Sequence, residues 1–166
     1  MYPEIISWNV NGFRSQHRDI LLLLEKYVPK VLVLQETLLK DQNVTAINGY
    51  KGFGFSAAPK DTGVTGGLAF FIHNNVLFSP VNLSTHLQAI AFRVTLHKTI
   101  TICNLYFPPT SQISENEIEN LIEQLPRPFL LVGDFNAHSP LWGSPSTSHR
   151  GQIIENIIST YANNNR

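Results

Sequence analysis

The sequence predicts an α/β domain whose strands and helices pack as a sandwich, and three features support this. A strand, a helix and a strand follow one another in the first 36 residues, a strand hairpin lies in the middle, and a helix, a strand and a helix follow after it. With 166 residues, 43% of them hydrophobic, and no repeat, linker or low-complexity tract, the chain is expected to form one domain over residues 1–166.

The first part of the chain has the pattern of a βαβ unit. The β-branched run EIISWNV, residues 4–10, stops at an Asn-Gly turn signal and predicts a strand. Ser15 is a candidate N-cap for a helix whose apolar residues cover a broad face before Pro29. The apolar run VLVLQE, residues 31–36, predicts a second, buried strand that ends on polar residues.

The middle of the chain predicts a loop followed by antiparallel strands. Residues 49–67 are punctuated by Gly and Asp and are interpreted as a surface loop before a strand at residues 68–72. Residues 89–96 and 99–106 alternate between apolar and other side chains around a His-Lys pair, which is typical of a hairpin.

The remaining elements alternate between helix and strand. Ser114 and Glu117 form a candidate capping box for a helix that runs to about Gln124. The run FLLVGD predicts a strand, and isoleucines at helical spacing predict a last helix near residues 150–161.

Charge and composition limit the function classes. Twelve basic residues balance twelve acidic ones, so attraction to a nucleic acid would have to be local or metal-assisted. The single cysteine, Cys103, cannot form an internal disulfide and is interpreted as a buried apolar residue in a reducing compartment. No stretch approaches about 20 apolar residues, and the start does not resemble a secretion signal, so no membrane partner is expected.

Polar side chains recur where the predicted strands end. Each has an ordinary structural explanation, because Asn and Asp form turns and Glu can cap the next segment. Their recurrence instead indicates a shared site, and paired oxygen donors suit Mg²⁺ better than Zn²⁺. These residues are Asn9, Asn11, Glu36, Asn104, Tyr106, Asp134 and Asn136.

Four motifs carry a resemblance to a known superfamily: SWNVNG (7–12), LQET (34–37), NLYFPP (104–109) and GDFNAHSPLWGS (133–144). In this order they resemble the endonuclease/exonuclease/phosphatase superfamily, which includes deoxyribonuclease I and apurinic/apyrimidinic endonucleases. The later Arg150-Gly151 pair and the Leu-Trp-Gly run look most like the endonuclease domain of arthropod LINE-type (jockey- or R1-like) non-LTR retrotransposons. The resemblance implies a four-layer α/β sandwich with two central mixed, largely antiparallel sheets flanked by helices.

The resemblance also implies a role for each of five residues. Glu36, helped by Asn9, would hold Mg²⁺, for which Mn²⁺ can substitute, and Asp134 would position or deprotonate the attacking water. Asn136 and Tyr106 would bind the scissile phosphate. The implied reaction is hydrolysis of a DNA phosphodiester, which nicks one strand so that a reverse transcriptase can prime from the new 3′ hydroxyl.

Weaker candidates for DNA contact lie beside these motifs. Asn11 falls where many relatives have aspartate, which would weaken any second-metal role there. Arg14 could contact a DNA phosphate or be solvated surface, and His138 could contact DNA or be an ordinary loop histidine. Trp142 is expected to pack under the Asp134 loop rather than stack on a base.

The family pattern continues with a Ser-Asp-His motif that is not found before Arg166. The fold is therefore expected to be incomplete at the C-terminus and the activity to be impaired. A non-catalytic transposon remnant that binds nucleic acid or protein is one alternative. A phosphatase or phosphodiesterase acting on small phosphoesters is another. The expected partners are DNA and a reverse transcriptase domain in a longer polyprotein, and a DNA substrate implies the nucleus.

Overall fold

Two four-stranded sheets form the centre of the structure, a computed structural model that describes residues 3–42, 44–60 and 63–163. The elements in chain order are β1 (Ile5–Asn9), α1 (His17–Tyr27), β2 (Val31–Gln35), β3 (Tyr50–Phe55), β4 (Ala58–Lys60), β5 (Gly63–Thr65), β6 (Leu68–His73), β7 (Leu77–Val81), β8 (Gln88–Thr95), β9 (Thr99–Tyr106), α2 (Glu115–Glu123), β10 (Phe129–Asp134), a 3₁₀ turn (Pro140–Trp142) and α3 (His149–Asn163).

The two sheets share one pattern of strand directions. The first sheet has the order β1-β2-β6-β3 and the second the order β10-β9-β8-β7. In each sheet the first pair is parallel and the other two pairs are antiparallel. A small β4-β5 hairpin lies outside both sheets. The predicted mixed, largely antiparallel sheets are therefore confirmed.

Alternation along the strands builds the layers. In β2, Val33 points into the core between the sheets, whereas Leu32 and Leu34 pack with Ile20 of α1 on the outer face. On the other side, α2 and α3 cover the second sheet, where Cys103 is fully buried as predicted. The order of layers is helix, sheet, sheet, helices, which confirms the predicted four-layer sandwich.

A buried polar contact joins the sheets near one end. The side-chain amide of Gln35 donates to Asn104 Oδ1 at 2.7 Å, and Asn104 Nδ2 donates to the carbonyls of Leu34 and Ala69 at 3.0 and 3.1 Å. Because an unpaired buried amide is costly, these bonds fix β2 and β9 relative to each other. Asn104, grouped with the strand-end residues, therefore lies in the interior of the sandwich.

Two local predictions are wrong and one is confirmed. Residues 49–67 are not all loop, since β3 pairs with β6 and its glycines allow close contacts rather than turns. Ser15 does not cap α1, because its hydroxyl donates to the Gly12 carbonyl and the helix begins at His17 without a side-chain cap. The capping box of Ser114 and Glu117 is present at the start of α2.

Within the ranges described, no helix is long and apolar enough to cross a membrane.

The glycine of the GDFN motif allows β10 to approach β9. Gly133 lies opposite Leu105 in the parallel pair and has a φ of +140°. A Cβ atom at this position would lie 1.9 Å from the Leu105 carbonyl oxygen. Only glycine fits here, and the next residue along β10 is Asp134.

We expect Gly133→Ala to lower the free energy of unfolding by more than about 3 kcal/mol, because backbone strain and a backbone clash add. Gly63→Ala is the matched control, since Gly63 also has a φ of +140° but no atom within 4 Å of the added Cβ. It should cost only about 1 kcal/mol in urea unfolding. Equal losses for the two variants would contradict the close approach.

Candidate active site

The carboxyl ends of the two parallel strand pairs meet at one edge of the sandwich. Asn9 ends β1 and Glu36 follows β2, while Asp134 ends β10 in the other sheet. Asn9 Nδ2 donates to Glu36 Oε1 and to Asp134 Oδ2, both at 2.8 Å. The chain thus brings together residues 125 positions apart in a half-buried cluster.

Asn9 is the centre of this cluster. Its amide nitrogen lies between two carboxylates, and its Oδ1 accepts a hydrogen bond from the backbone N–H of Asn11 at 3.1 Å. Two carboxylates this close repel each other unless a donor or a cation lies between them. The amide nitrogen supplies the donors, and rotation of the amide by half a turn would direct its oxygen, instead of its nitrogen, toward a bound cation.

Tyr106 completes the cluster from the end of β9. Its side chain is buried, and the phenol is hydrogen-bonded to Glu36. Burial raises the pKa of Tyr106 most, the bond to Glu36 and the charges of Glu36 and Asp134 raise it further, and Arg150 opposes them. The phenol therefore stays protonated at any physiological pH and acts as a hydrogen-bond donor, not as a base.

Asp134 and Asn136 form a turn after β10. The Asn136 N–H donates to Asp134 Oδ1 at 2.9 Å, and Asn136 Nδ2 donates to the Phe107 carbonyl at 3.0 Å. The Asx-turn interpretation is therefore correct for Asp134, whereas the Asn136 side chain bonds to the β9 side of the site, and the turn does not exclude a shared site. Both oxygens of Asp134 accept hydrogen bonds, which fixes the orientation of its carboxylate.

Three residues of the site have left-handed backbone conformations, with φ values of 44° at Asn11, 52° at Glu36 and 46° at Asn136. Such conformations cost energy for residues other than glycine and are concentrated at functional sites. The strand ends are therefore bent to direct these side chains, as expected for a binding or catalytic edge.

The structure brings five predicted site residues together. Asn9, Glu36 and Asp134 are in direct contact, Tyr106 is bonded to Glu36, and Asn136 is bonded to Asp134. Their individual roles in catalysis and metal binding remain predictions.

The weaker candidates lie around the edge of the site. Asn11, Arg14 and His138 are exposed, and His138 Nδ1 lies 3.4 Å from Ser144 Oγ. Their contact with DNA stays a prediction. Trp142 lies against the Asp134 loop, as expected: its Nε1 donates to the Ala137 carbonyl at 2.9 Å, although the side chain is 40% exposed.

The donor set consists of oxygen atoms, which suit a hard cation. Within residues 3–42, 44–60 and 63–163, no group of three or more His, Cys, Asp or Glu side chains could hold a metal. A cation here would rely on Glu36, Asp134 and the Asn9 amide oxygen, with water and substrate oxygens as further ligands. One or two carboxylates with water and phosphate is the ligand set typical of Mg²⁺.

Arg150 is a site residue for which the sequence predicted no role. Its guanidinium lies against the main chain that follows both β9 and β10. In the sequence, the Arg150-Gly151 pair indicates only the family resemblance, because main-chain carbonyl acceptors do not depend on side-chain identity.

Comparisons with known proteins agree with this geometry. The family model described as endonuclease-reverse transcriptase matches residues 100–166. A probable RNA-directed DNA polymerase from transposon BS of Drosophila melanogaster is 25% identical over 159 residues, 94% of this chain and 18% of that protein. The RNA-directed DNA polymerase from mobile element jockey of the same species is 26% identical over 155 residues, 91% and 17% of the two. The chain thus spans less than a fifth of these relatives.

Solved structures show the same fold. The endonuclease domain of TRAS1, a telomere-specific non-LTR retrotransposon, has a TM-score of 0.71 and 18% identity, and the match covers 93% of this chain and 70% of that one. The 3′-5′ exonuclease NExo from Neisseria meningitidis has a TM-score of 0.64 and 19% identity, with the same coverage.

Fold, motifs and relatives agree that the chain is similar to enzymes of the endonuclease/exonuclease/phosphatase superfamily and has their fold. Enzymes of this superfamily are nucleases and related phosphodiesterases that generally use divalent metal ions. Its sequence relatives are parts of RNA-directed DNA polymerases of Drosophila mobile elements, and its fold is that of the endonuclease domain of a non-LTR retrotransposon. The resemblance stated from the four motifs is confirmed.

We expect Asn9→Asp to lower the free energy of unfolding by about 2 kcal/mol in EDTA, because a third carboxylate replaces the bridging donor. A divalent cation should restore much of this loss, so Mg²⁺ should raise the melting temperature of the variant more than that of the wild type. Asn82→Asp, on an exposed loop, is the control. An Asn9→Asp variant as stable as the wild type in EDTA would contradict the proposed bridge.

Proposed function

We propose that this chain is a Mg²⁺-dependent endonuclease domain that nicks one strand of DNA at the target site of a non-LTR retrotransposon. The observation that carries the proposal is the contact of Asn9 with both Glu36 and Asp134, with Tyr106 bonded to Glu36. One cluster thus contains an acidic site for a cation at Glu36, a carboxylate that can accept a proton at Asp134, and a neutral hydrogen-bond donor at Tyr106.

Glu36 and Asn9 would hold the metal ion, with Mg²⁺ as the proposed ion and Mn²⁺ as a substitute. When bound, the ion would neutralise charge on the phosphate and on the departing 3′ oxygen. The chain has no net positive charge to attract DNA, since twelve acidic residues balance twelve basic ones. A cation at the reacting phosphate supplies the local attraction that the rest of the chain lacks.

Asp134 would orient the attacking water and accept its proton, because two donors hold its carboxylate in one orientation. Tyr106 and Asn136 would donate hydrogen bonds to the non-bridging phosphate oxygens. The raised pKa of Tyr106 supports this assignment, since a neutral phenol is needed to donate. Water attacks phosphorus in line, the bond to the 3′ oxygen breaks, and the nick leaves a 3′ hydroxyl.

The relatives support DNA as the substrate. A Neisseria 3′ phosphatase with a TM-score of 0.59 and 16% identity to this chain was solved bound to a product DNA hairpin. The Drosophila relatives are RNA-directed DNA polymerases, which would use the new 3′ hydroxyl as a primer. We therefore propose a reverse transcriptase as the partner within a longer polyprotein, and nuclear DNA as the place of action.

The test is nicking of supercoiled plasmid in Mg²⁺, in Mn²⁺ and in EDTA. We expect open circles to accumulate with either metal and not in EDTA. Asp134→Asn should lower the rate about a hundredfold or more, because the isosteric amide cannot accept a proton. Asp19→Asn, an exposed position in α1, should leave the rate unchanged.

Two results would contradict the proposal. Equal nicking by wild type and Asp134→Asn would trace the activity to a contaminant or another site. Release of phosphate from an inositol phosphate, without nicking, would favour the small-phosphoester alternative.

A further inference from the structure

The Arg150-Gly151 pair at the start of α3 has no part in the chemistry above. We propose that Arg150 is a positioning residue, which clamps together the two loops that carry the site. These are the β9 loop, residues 107–111, and the β10 loop, residues 135–138. The inference rests on the proposed function for its effect on rate, but the clamp itself can be tested without activity.

The guanidinium of Arg150 contacts main-chain oxygens of both loops. Its Nη1 donates to the carbonyls of Phe107 and Phe135 at 3.3 Å each and of Asn136 at 3.4 Å. Its Nη2 donates to the carbonyls of Pro108 at 3.0 Å and Ser111 at 2.6 Å. One half-buried cation thus joins the two loops.

These loops begin directly after two residues of the cluster. The β9 loop follows Tyr106, and the β10 loop follows Asp134. Phe107 links them, because its N–H donates to the Asp134 carbonyl at 3.0 Å while its own carbonyl accepts from Asn136 Nδ2 at 3.0 Å. Arg150 bonds to that same carbonyl, so its position affects Asn136 through a shared acceptor.

The charge of Arg150 is balanced by carbonyl dipoles. In the part of the chain that the structure describes, no carboxylate lies within ion-pair distance of it. Converging carbonyl oxygens repel one another, and a planar cation with several donors relieves that repulsion along fixed directions. Lysine has one nitrogen and cannot reproduce both edges of the guanidinium.

Gly151 allows the start of α3 to approach the β10 loop closely. A Cβ on Gly151 would lie 1.9 Å from the His138 carbonyl oxygen. Ser148 Oγ accepts from the N–H of both His138 and Gly151, at 3.1 and 3.0 Å. The first turn of α3 therefore lies directly on the β10 loop, which places Arg150 within reach of both loops.

Direct binding of phosphate by Arg150 does not fit this geometry. Both Nη atoms already donate to carbonyls, and a phosphate would have to displace them. The structure therefore assigns Arg150 an effect on the alignment of Tyr106, Asp134 and Asn136, which should appear in kcat rather than in KM.

The test compares Arg150→Lys with Arg18→Lys, an exposed position in α1, by amide hydrogen exchange and plasmid-nicking kinetics. In Arg150→Lys we expect faster exchange in peptides covering residues 104–112 and 133–139, and unchanged exchange in residues 30–36 and 68–73. The kcat for Mg²⁺-dependent nicking should fall about tenfold or more, with KM changed less than about threefold. Arg18→Lys should match the wild type in every readout.

Two other results would overturn the clamp. Unchanged exchange in both loops would overturn the clamp, and so would a raised KM with unchanged kcat. Faster exchange in all regions would show a general structural role instead. If the lysine variant does not fold, Arg150→Gln gives the same comparison. Local loosening of the two loops in a chain whose wild type does not nick DNA would refute the proposed function and leave the clamp standing.

Discussion

The Asn9 amide between Glu36 and Asp134 is the contact on which the site depends. Two negative charges on either side of one hydrogen-bond donor repel by on the order of 3 kcal/mol at an effective dielectric constant of about 20. Asn9 offsets that repulsion with two hydrogen bonds, each 2.8 Å long, and in doing so joins an edge of the first sheet to an edge of the second. Asn9 thus holds the two carboxylates close together, and a divalent cation bound between them would stabilise the same arrangement.

Polar contacts of decreasing burial surround this bridge. In the interior, the bond between Gln35 and Asn104 fixes the two sheets in relation to each other. At the half-buried edge, Tyr106 presents a protonated phenol and Asp134 an oriented carboxylate. Outside them, Arg150 holds the loops by their carbonyls. The rigid scaffold therefore sets the positions of the strand ends, and the outer contacts adjust the side chains that would meet the phosphate.

Much of the fold could be predicted from local pattern. The β-branched runs of β1 and β2, the β8-β9 hairpin and the capping box of α2 are all recovered, because each has a local signal. The strand β3 was not predicted because its glycines suggest turns, whereas here they allow contact with Phe71 and with the backbone of Gln42. The strand β7 gave no signal because it is an exposed edge strand that contains a proline.

The residues of the site could be predicted from the sequence, but the contacts between them could not. Their positions at strand ends and their motifs identified Asn9, Glu36 and Asp134. The hydrogen bond between Asn9 and Asp134 spans 125 residues, and no local sequence pattern indicates it. Asn104 has the same strand-end signal and lies in the interior, since the direction of a side chain depends on the opposing sheet. The carbonyl partners of Arg150 are set by loop conformation alone.

Binding of Mn²⁺, followed by electron paramagnetic resonance of the free ion, tests the central claim most directly. We expect one bound ion per chain for the wild type, binding weaker by about tenfold or more in Glu36→Gln, and no change in the exposed control Glu25→Gln. Wild-type chains that bind no Mn²⁺, or Glu36→Gln chains that bind it as well as the wild type, would contradict the assignment of this cluster as a metal-dependent phosphodiesterase site.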